Sequence, residues 1–190
     1  MLPRPLHTRR LLLLPLDIAL MSAVLDGDLP ALTAGIGPCE RSDWSDALPM
    51  LESRRRELVA DPSVAQWVPR VIVRRADGAV VGHINFHTAP DPEYLRPFVR
   101  GAVEAGYSIF ERYRRRGYAT EALQALIGWA HSAHGVTRFA LSIGAANLPS
   151  RIMAERLGFV PVGVWRDPAE GVEVVYARSV APPRPNAAAG

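Results

Sequence analysis

The pair Asp77-Gly78, which stands between two apolar runs, is the feature that most limits how this chain can fold. PRVIVRRA precedes it and AVVGHINF follows it, and both runs are rich in the β-branched residues that favour strands. Asp-Gly between two such runs is a strong hairpin signal, because a tight hairpin turn needs positive φ angles that these residues adopt readily. We therefore expect an antiparallel strand pair in the middle of the chain.

Other strands and helices are expected on both sides of this hairpin. Strands are predicted at residues 10–14, 101–110, 136–143, 160–165 and 171–180. Helices are predicted at residues 18–26, 46–59, 116–134 and 148–157, with loops at 26–43 and 88–100. This order, β-α-α-β-β-β-α-β-α-β-β, predicts an α/β (α+β) fold with a mixed, mostly antiparallel sheet flanked by helices. Residues 1–180 are expected to form one domain, and the tail 181–190, APPRPNAAAG, is expected to be disordered.

The composition excludes several classes of protein. Hydrophobic residues make up 48% and charged residues 22% of the 190 residues, which argues against disorder. The 22 basic residues are all arginine, so no lysine is present to form a Schiff base. The single cysteine, Cys39, excludes an internal disulfide and a multi-cysteine zinc site, and we expect no metal and a reducing cytoplasm.

The apolar segment LLLLPLDIAL follows two arginines, a combination that superficially resembles a twin-arginine export signal. Pro15 and Asp17 interrupt it, and a charge is costly in an export signal or a membrane span. A buried first strand over Arg10–Leu14 is the better interpretation, and neither cleavage of a signal nor membrane association is expected.

The densest positive charge lies in RRRGYATEA, directly before a predicted helix. A helix N-terminus has unpaired N–H groups and partial positive charge, so it binds anions, whereas arginines there oppose the helix dipole. A bound phosphate would remove that conflict. The motif matches neither a P-loop nor a dinucleotide fingerprint, and by itself it leaves a phosphate site and a solvated turn both open.

The wider pattern resembles the GNAT superfamily of acetyl-CoA-dependent N-acyltransferases. The resemblance rests on YSIFERYRRRGYATEAL, on Asn147 and Ser150, and on ERLGF at 155–159. TRRLLLLPL and GHINFHTAP are similar to the branch that includes the ribosomal-protein N-terminal acetyltransferases. Over residues 8–180 the resemblance implies the GNAT fold, with about seven strands splayed at the centre of the sheet, and acetyl-CoA as co-substrate.

The resemblance also implies which residues bind the acetyl-CoA. Backbone groups of Ile109 and Phe110 would contact the pantetheine arm, and Asn147 and Ser150 would meet the pantetheine and the thioester sulfur. Asn147 is equally a good helix N-cap, and both roles can hold together. The residues implied to hold the pyrophosphate are Arg114, Arg115, Arg116, Gly117, Tyr118, Ala119 and Thr120.

Two residues are the candidate catalytic groups. Glu104 is the candidate base, since an amine must lose a proton before it attacks, and burial would raise the pKa of this carboxyl. Alternatively, Glu104 is a solvated glutamate on an edge strand. In that case His87 or a water chain acts as the base. Many GNAT members carry a proton-donating tyrosine where this chain has Ala154, so Ser150 is the candidate donor to the thiolate. A backbone N–H near Ile109 would stabilise the oxyanion.

Acceptor-binding residues are predicted on the second hairpin strand, where His83, Asn85 and His87 alternate with apolar residues and so share a face. Trp165 would wall the same cleft or else belong to the core. The acceptor is a protein N-terminal amine or a small-molecule amine, bound by a monomer or homodimer.

Two other functions stay open at this point. The missing tyrosine allows a CoA-binding sensor or partner module without catalysis. Arg112–Arg116 could contact an RNA backbone, but few aromatic residues accompany them, so no nucleic acid is expected as a partner.

Overall fold

The computed structural model describes residues 2–167 and 171–181, and the chain forms two compact units. The first unit comprises residues 1–89 and 105–125, and the second comprises 90–104 and 126–190. One strand and one helix contribute residues to both. The predicted disordered tail lies outside the described residues from 182 onward. The expectation of one domain over 1–180 stays a prediction.

The first unit is an antiparallel sheet with three helices. Its strands pair in the order β1-β2-β3-β4-β5, where residues 105–109 of β5 belong to this unit. The strands are β1 (Leu6–His7), β2 (Leu11–Pro15), β3 (Arg70–Arg74), β4 (Val80–Phe86) and β5 (Ala102–Ile109). The helices are α1 (Ile18–Asp26), α2 (Leu29–Ile36) and α3 (Leu48–Ala60).

The hairpin and the first strand form as predicted. Gly78 has φ 71°, and β3 pairs with β4 across the turn that it closes. In β2, Leu11 and Leu13 are fully buried on one face of the strand, while Leu12 and Leu14 on the other face pack against the core cluster that contains Met21 of α1. The segment that superficially resembles an export signal therefore forms a strand that contributes residues to the core.

The second unit contains the end of the sheet. Ala102–Glu104 of β5 pair in parallel with β6 (Arg138–Gly144), and β6 continues antiparallel to β8 (Gly171–Ser179), which pairs with β7 (Val160–Asp167). The parallel pairing covers three residues of each strand. Residues of α4 (Tyr118–His134) and all of α5 (Leu148–Arg156) complete this unit.

The predicted fold class is confirmed. The described residues form eight strands with six antiparallel pairings and one parallel pairing, flanked by helices. The eighth strand is β1, whose two residues are too short for a periodicity signal. Among the described residues, no helix is long and apolar enough to cross a membrane.

The loop predicted at residues 26–43 is wrong. Asp28 caps α2 by accepting a hydrogen bond from the N–H of Ala31, and Pro30 is tolerated in the first turn because its missing N–H is not needed there. Residues Arg41–Ala47 form a 3₁₀ helix, so the second predicted helix begins later, at Leu48. Within the predicted loop 88–100, Glu93–Leu95 form one further 3₁₀ turn.

Candidate active site

The loop before α4 contains two residues with a left-handed backbone. Arg115 has φ 61° and Gly117 has φ 75°, and left-handed residues among right-handed ones are typical of the backbone nests that bind anions. The N–H of Glu121 donates to the carbonyl of Gly117 at 3.1 Å, which starts the helix. The preceding N–H groups in the first turn have no partner within a helix.

The arginines of this loop differ in their contacts. Arg112 pairs with Asp43, while Arg114 donates from Nε to the carbonyl of Ile109 at 3.0 Å. Three arginines of the loop have exposed side chains that can offer positive charge to a ligand: Arg114, Arg115 and Arg116. The side chain of Tyr118 is buried, and therefore Tyr118 can offer a ligand only its backbone.

Strand β5 presents Ile109 and Phe110 differently. The N–H of Phe110 donates to the carbonyl of Val81 at 3.0 Å, and its carbonyl accepts from the N–H of Tyr113 at 2.8 Å. Its side chain packs edge-on against Trp44. Because hydrogen bonds alternate along an antiparallel pair, the N–H of Ile109 points away from β4. Ile109, and not Phe110, is thus the residue whose N–H is directed outward.

Glu104 lies in the second unit and is only 2% exposed, so the alternative of a solvated edge glutamate is wrong. The hydroxyl of Tyr94 donates to its Oε2 at 2.6 Å. The ring of Tyr94 lies 6.1 Å from that of Trp165, and Phe98 meets Trp165 edge-on at 6.4 Å. The structure therefore brings Trp165 close to the partner of Glu104.

Tyr94 is a hydrogen-bond partner of the candidate base that the sequence does not predict. It lies in the proline-rich segment, on the 3₁₀ turn Glu93–Leu95, where no periodicity marks a buried face. The one available signal was a tyrosine beside Leu95, which is itself buried.

Asn147 and Ser150 begin α5, also in the second unit. The Oδ1 atom of Asn147 accepts a hydrogen bond from the N–H of Ser150 at 3.3 Å, which confirms the predicted N-cap. Ala154, the position where many GNAT members have a tyrosine, is fully buried one turn later.

His83 is buried in the first unit and stacks on Trp44, with ring centroids 6.1 Å apart and planes 16° apart. Burial lowers the pKa of His83 to about 4, although the nearby Asp46 acts in the opposite direction. The imidazole is therefore neutral at physiological pH and is a weak base.

Asn85 and His87 follow on the same strand and just beyond it. Asn85 is 3% exposed, and within the described residues neither its Nδ2 nor Nδ1 of His83 has a hydrogen-bond partner. A Cβ at position 106 would collide with Nε2 of His87, so the glycine there lets this exposed ring approach the backbone of β5. These three predicted acceptor residues thus lie close together.

The predicted site residues are distributed over both units. The loop 114–120, Ile109 and the polar residues of β4 belong to the first unit, whereas Glu104, Asn147, Ser150 and Trp165 belong to the second. In the part of the chain that the structure describes, no group of three His, Cys, Asp or Glu side chains could hold a metal ion.

A mixed, mostly antiparallel sheet flanked by helices is the fold of a class of acyl-transferring enzymes. The family model of the Acetyltransferase (GNAT) domain matches residues 10–160. The chain therefore belongs to the GNAT family and is an N-acetyltransferase. The resemblance inferred from the sequence is confirmed.

Known proteins agree with this assignment. The chain is 32% identical over 161 residues to the uncharacterised N-acetyltransferase YjdG of Bacillus subtilis (strain 168), covering 82% of this chain and 89% of YjdG. A structure from Bordetella pertussis, described as a GNAT-family acetyltransferase, superposes with a TM-score of 0.66 at 23% identity and covers 93% of this chain and all of that one. The ribosomal L7/L12 α-N-protein acetyltransferase RimL, in complex with coenzyme A, gives 0.62 at 18% identity, with coverages of 93% and 98%.

Proposed function

We propose that this enzyme transfers the acetyl group of acetyl-CoA to a primary amine by direct attack of the amine on the thioester. The loop before α4 is the observation that carries the proposal. It combines the left-handed residues Arg115 and Gly117, the start of a helix and three exposed arginines, a set of features suited to a diphosphate. The structure of RimL in complex with coenzyme A supports acetyl-CoA as the acetyl donor of this enzyme.

Glu104 is the proposed general base. The attacking amine loses its proton to the carboxylate, its nitrogen bonds to the carbonyl carbon, and the N–H of Ile109 stabilises the oxyanion. The hydroxyl of Tyr94 fixes the carboxylate through Oε2. The exposed imidazole of His87, or a water chain, is the alternative base.

Ser150 is the proposed proton donor to the departing thiolate as the C–S bond breaks, and its hydroxyl regains a proton from the newly acylated nitrogen through solvent. The cap from Asn147 supports this role because it holds the start of the helix, and the chain has a buried alanine, Ala154, where many GNAT members have a tyrosine. Ser150→Ala should therefore lower kcat, and the deficit should shrink with an acyl donor whose thiol leaves more easily.

The acceptor is proposed to meet the polar face of β4. The amide Nδ2 of Asn85 is a buried donor without a partner in the described structure, and an unpaired donor is costly unless a ligand satisfies it. An acceptor with a carbonyl oxygen near its amine, such as a protein N-terminus, would satisfy it. A small-molecule amine of similar chemistry fits as well. We propose that the reaction takes place in the cytoplasm.

A mass-spectrometric acceptor screen tests the function. The protein is incubated with acetyl-CoA and a panel of peptides, amino acids, polyamines and aminoglycosides, while free thiol is measured. We expect acceptor-dependent thiol release and a mass increase of one acetyl group on an amine. Acetyl-CoA binding without thiol release across the panel would indicate a sensor and overturn the enzymatic proposal.

A pair of glycine variants tests the phosphate loop. Gly117→Val should weaken acetyl-CoA binding because it blocks the backbone at φ 75°. Gly135→Val imposes a similar strain at φ 66° after the other end of α4, with open space around it, and should leave affinity unchanged. Equal affinity in both folded variants would remove the pyrophosphate assignment.

A further inference from the structure

Three residues of the first unit form a connected cluster beside the phosphate loop, and we call Thr8, Arg10 and Glu121 the Arg10 clamp. Oε1 of Glu121 accepts from Oγ1 of Thr8 at 2.6 Å and from the N–H of Arg10 at 2.8 Å. Oε2 accepts from Nε of Arg10 at 2.6 Å. One carboxylate on the first turn of α4 thus binds the segment that leads into β2.

The clamp reaches the loop itself through the guanidinium of Arg10. Its Nη1 donates to the carbonyl of Arg116 at 2.9 Å, and its Cζ lies 4.9 Å from the ring centroid of Tyr118. A Cβ at position 117 would lie 3.4 Å from Nη2. Arg10 therefore contacts Arg116 and Tyr118, the residues on either side of Gly117.

The loop needs such support for two reasons. Arg114–Arg116 carry like charges at the positive end of a helix dipole, so the charges oppose the conformation that places them there. Arg115 also holds a positive φ, which a residue with a Cβ keeps only when its surroundings enforce it. The Arg10 clamp holds the carbonyl of Arg116, the residue that follows Arg115.

Glu121 is suited to hold Arg10 in place. Partial burial acts to raise the pKa of its carboxyl, but the hydrogen bonds from Thr8 and Arg10 outweigh burial and lower that pKa. The carboxylate is consequently ionised at neutral pH, and a negative charge in the first turn favours the helix.

We propose that Arg10 is a positioning residue that holds residues 114–117 in the conformation competent to bind the diphosphate of acetyl-CoA. The inference rests on the proposed function, because it presumes that this loop binds the diphosphate. Its signature is selective. Loss of Arg10 should weaken the binding of acetyl-CoA, which carries the diphosphate. It should leave the reaction with acetyl-pantetheine, which lacks the diphosphate, unchanged.

The test compares Arg10→Met with Arg75→Met in the full chain. Arg75 is the matched control, since its Nη1 donates to the carbonyl of Thr8 at 2.9 Å and tethers the same segment, without a hydrogen bond to the loop among the described residues. Kd for acetyl-CoA is measured by calorimetry, and kcat and KM with acetyl-CoA and with acetyl-pantetheine. Thermal unfolding of each unliganded variant shows that it is folded.

Arg10→Met should raise Kd and KM for acetyl-CoA by roughly 10- to 100-fold, the range for loss of hydrogen bonds to charged groups. Its kcat should stay within about 2-fold of the wild type, because Arg10 does not contact the reacting atoms. Values of kcat/KM with acetyl-pantetheine should be unchanged in both variants, and Arg75→Met should bind acetyl-CoA normally.

An unchanged Kd in Arg10→Met, or equal losses in Arg10→Met and Arg75→Met, would overturn the proposal. If Arg10→Met does not fold, Glu121→Gln serves in its place, because it removes the charge that holds Nε and should show the same selectivity for acetyl-CoA. Acetyl-CoA binding by the wild type, and its loss in Gly117→Val, test the proposed function separately.

Discussion

Glu104 is a carboxylate enclosed by protein, and at the scale of single residues it is the group with the clearest chemical consequence. Carboxylates are rarely this buried unless they are paired, and the hydroxyl of Tyr94 supplies one partner at 2.6 Å. Glu104→Gln should keep acetyl-CoA affinity, because the change preserves shape and touches no phosphate contact. It should lower kcat by roughly 10²–10⁴-fold, the usual contribution of one general base.

The pH dependence separates a base from a structural residue. The deficit of Glu104→Gln should shrink as pH rises, since more of the amine then arrives deprotonated. Glu93→Gln, an exposed glutamate on the neighbouring 3₁₀ turn, is the matched control and should retain wild-type kcat at every pH. A Glu104→Gln enzyme with the wild-type pH–rate profile would transfer the role of base to His87 or to a water chain.

His83 links pH to stability. The pKa of His83 is about 4 in the folded chain, against an ordinary value of 6.5 in the unfolded chain. Between pH 4 and pH 6.5 the unfolded state therefore binds a proton at this position and the folded state does not. Stability should therefore be fully present above pH 6.5 and fall as the pH drops to 4, by about 3 kcal/mol at most. His83→Phe keeps a ring beside Trp44 and should flatten this slope in urea titrations. A slope equal to that of the wild type would assign the pH dependence elsewhere.

Helix α1 shows how local signals define an element. Asp17 accepts a hydrogen bond from the N–H of Leu20 at 2.7 Å, and Gly27 ends the helix in a left-handed conformation at φ 70°. Both residues are visible in the sequence as cap and stop. This helix also places Met21 and Val24 in the core of the first unit.

Asp17→Ala should lower the free energy of unfolding by about 1 kcal/mol, because an N–H of the first turn loses its acceptor. Asp26→Ala makes the same change at the last residue of α1, where a negative charge opposes the dipole, and should cost nothing. Urea denaturation of both variants measures the difference. Equal losses would show that Asp17 does not act as a cap.

At the scale of the whole molecule, ligand binding should report on the folded enzyme. Acetyl-CoA at 100 times its Kd stabilises the state that binds it by about 2.7 kcal/mol, which for a chain of this length corresponds to about 5–10 °C in Tm. Acetyl-pantetheine at the same concentration should give a much smaller shift, since it lacks the diphosphate. Differential scanning calorimetry checks both values, and equal shifts would contradict diphosphate binding by the loop.

Much of the fold could be predicted because its signals are local. The Asp77-Gly78 turn, the caps Asp17 and Asn147, and the apolar face of α4 each depend on residues within a few positions of one another. The sequence does not predict helix α2, because Pro30 and Gly35 outweigh the cap at Asp28, although the first turn tolerates a proline.

The sequence by itself determined the fold class, most of the order of helices and strands along the chain, and the family, since each follows from periodicity or from contiguous motifs. Only the tertiary structure decided the contacts of Glu104 with Tyr94, of His83 with Trp44 and of Arg10 with Glu121. These partners lie ten, 39 and 111 residues apart. Neither spacing nor composition encodes such pairs, because burial and hydrogen-bond geometry arise only when the packed chain brings distant segments together.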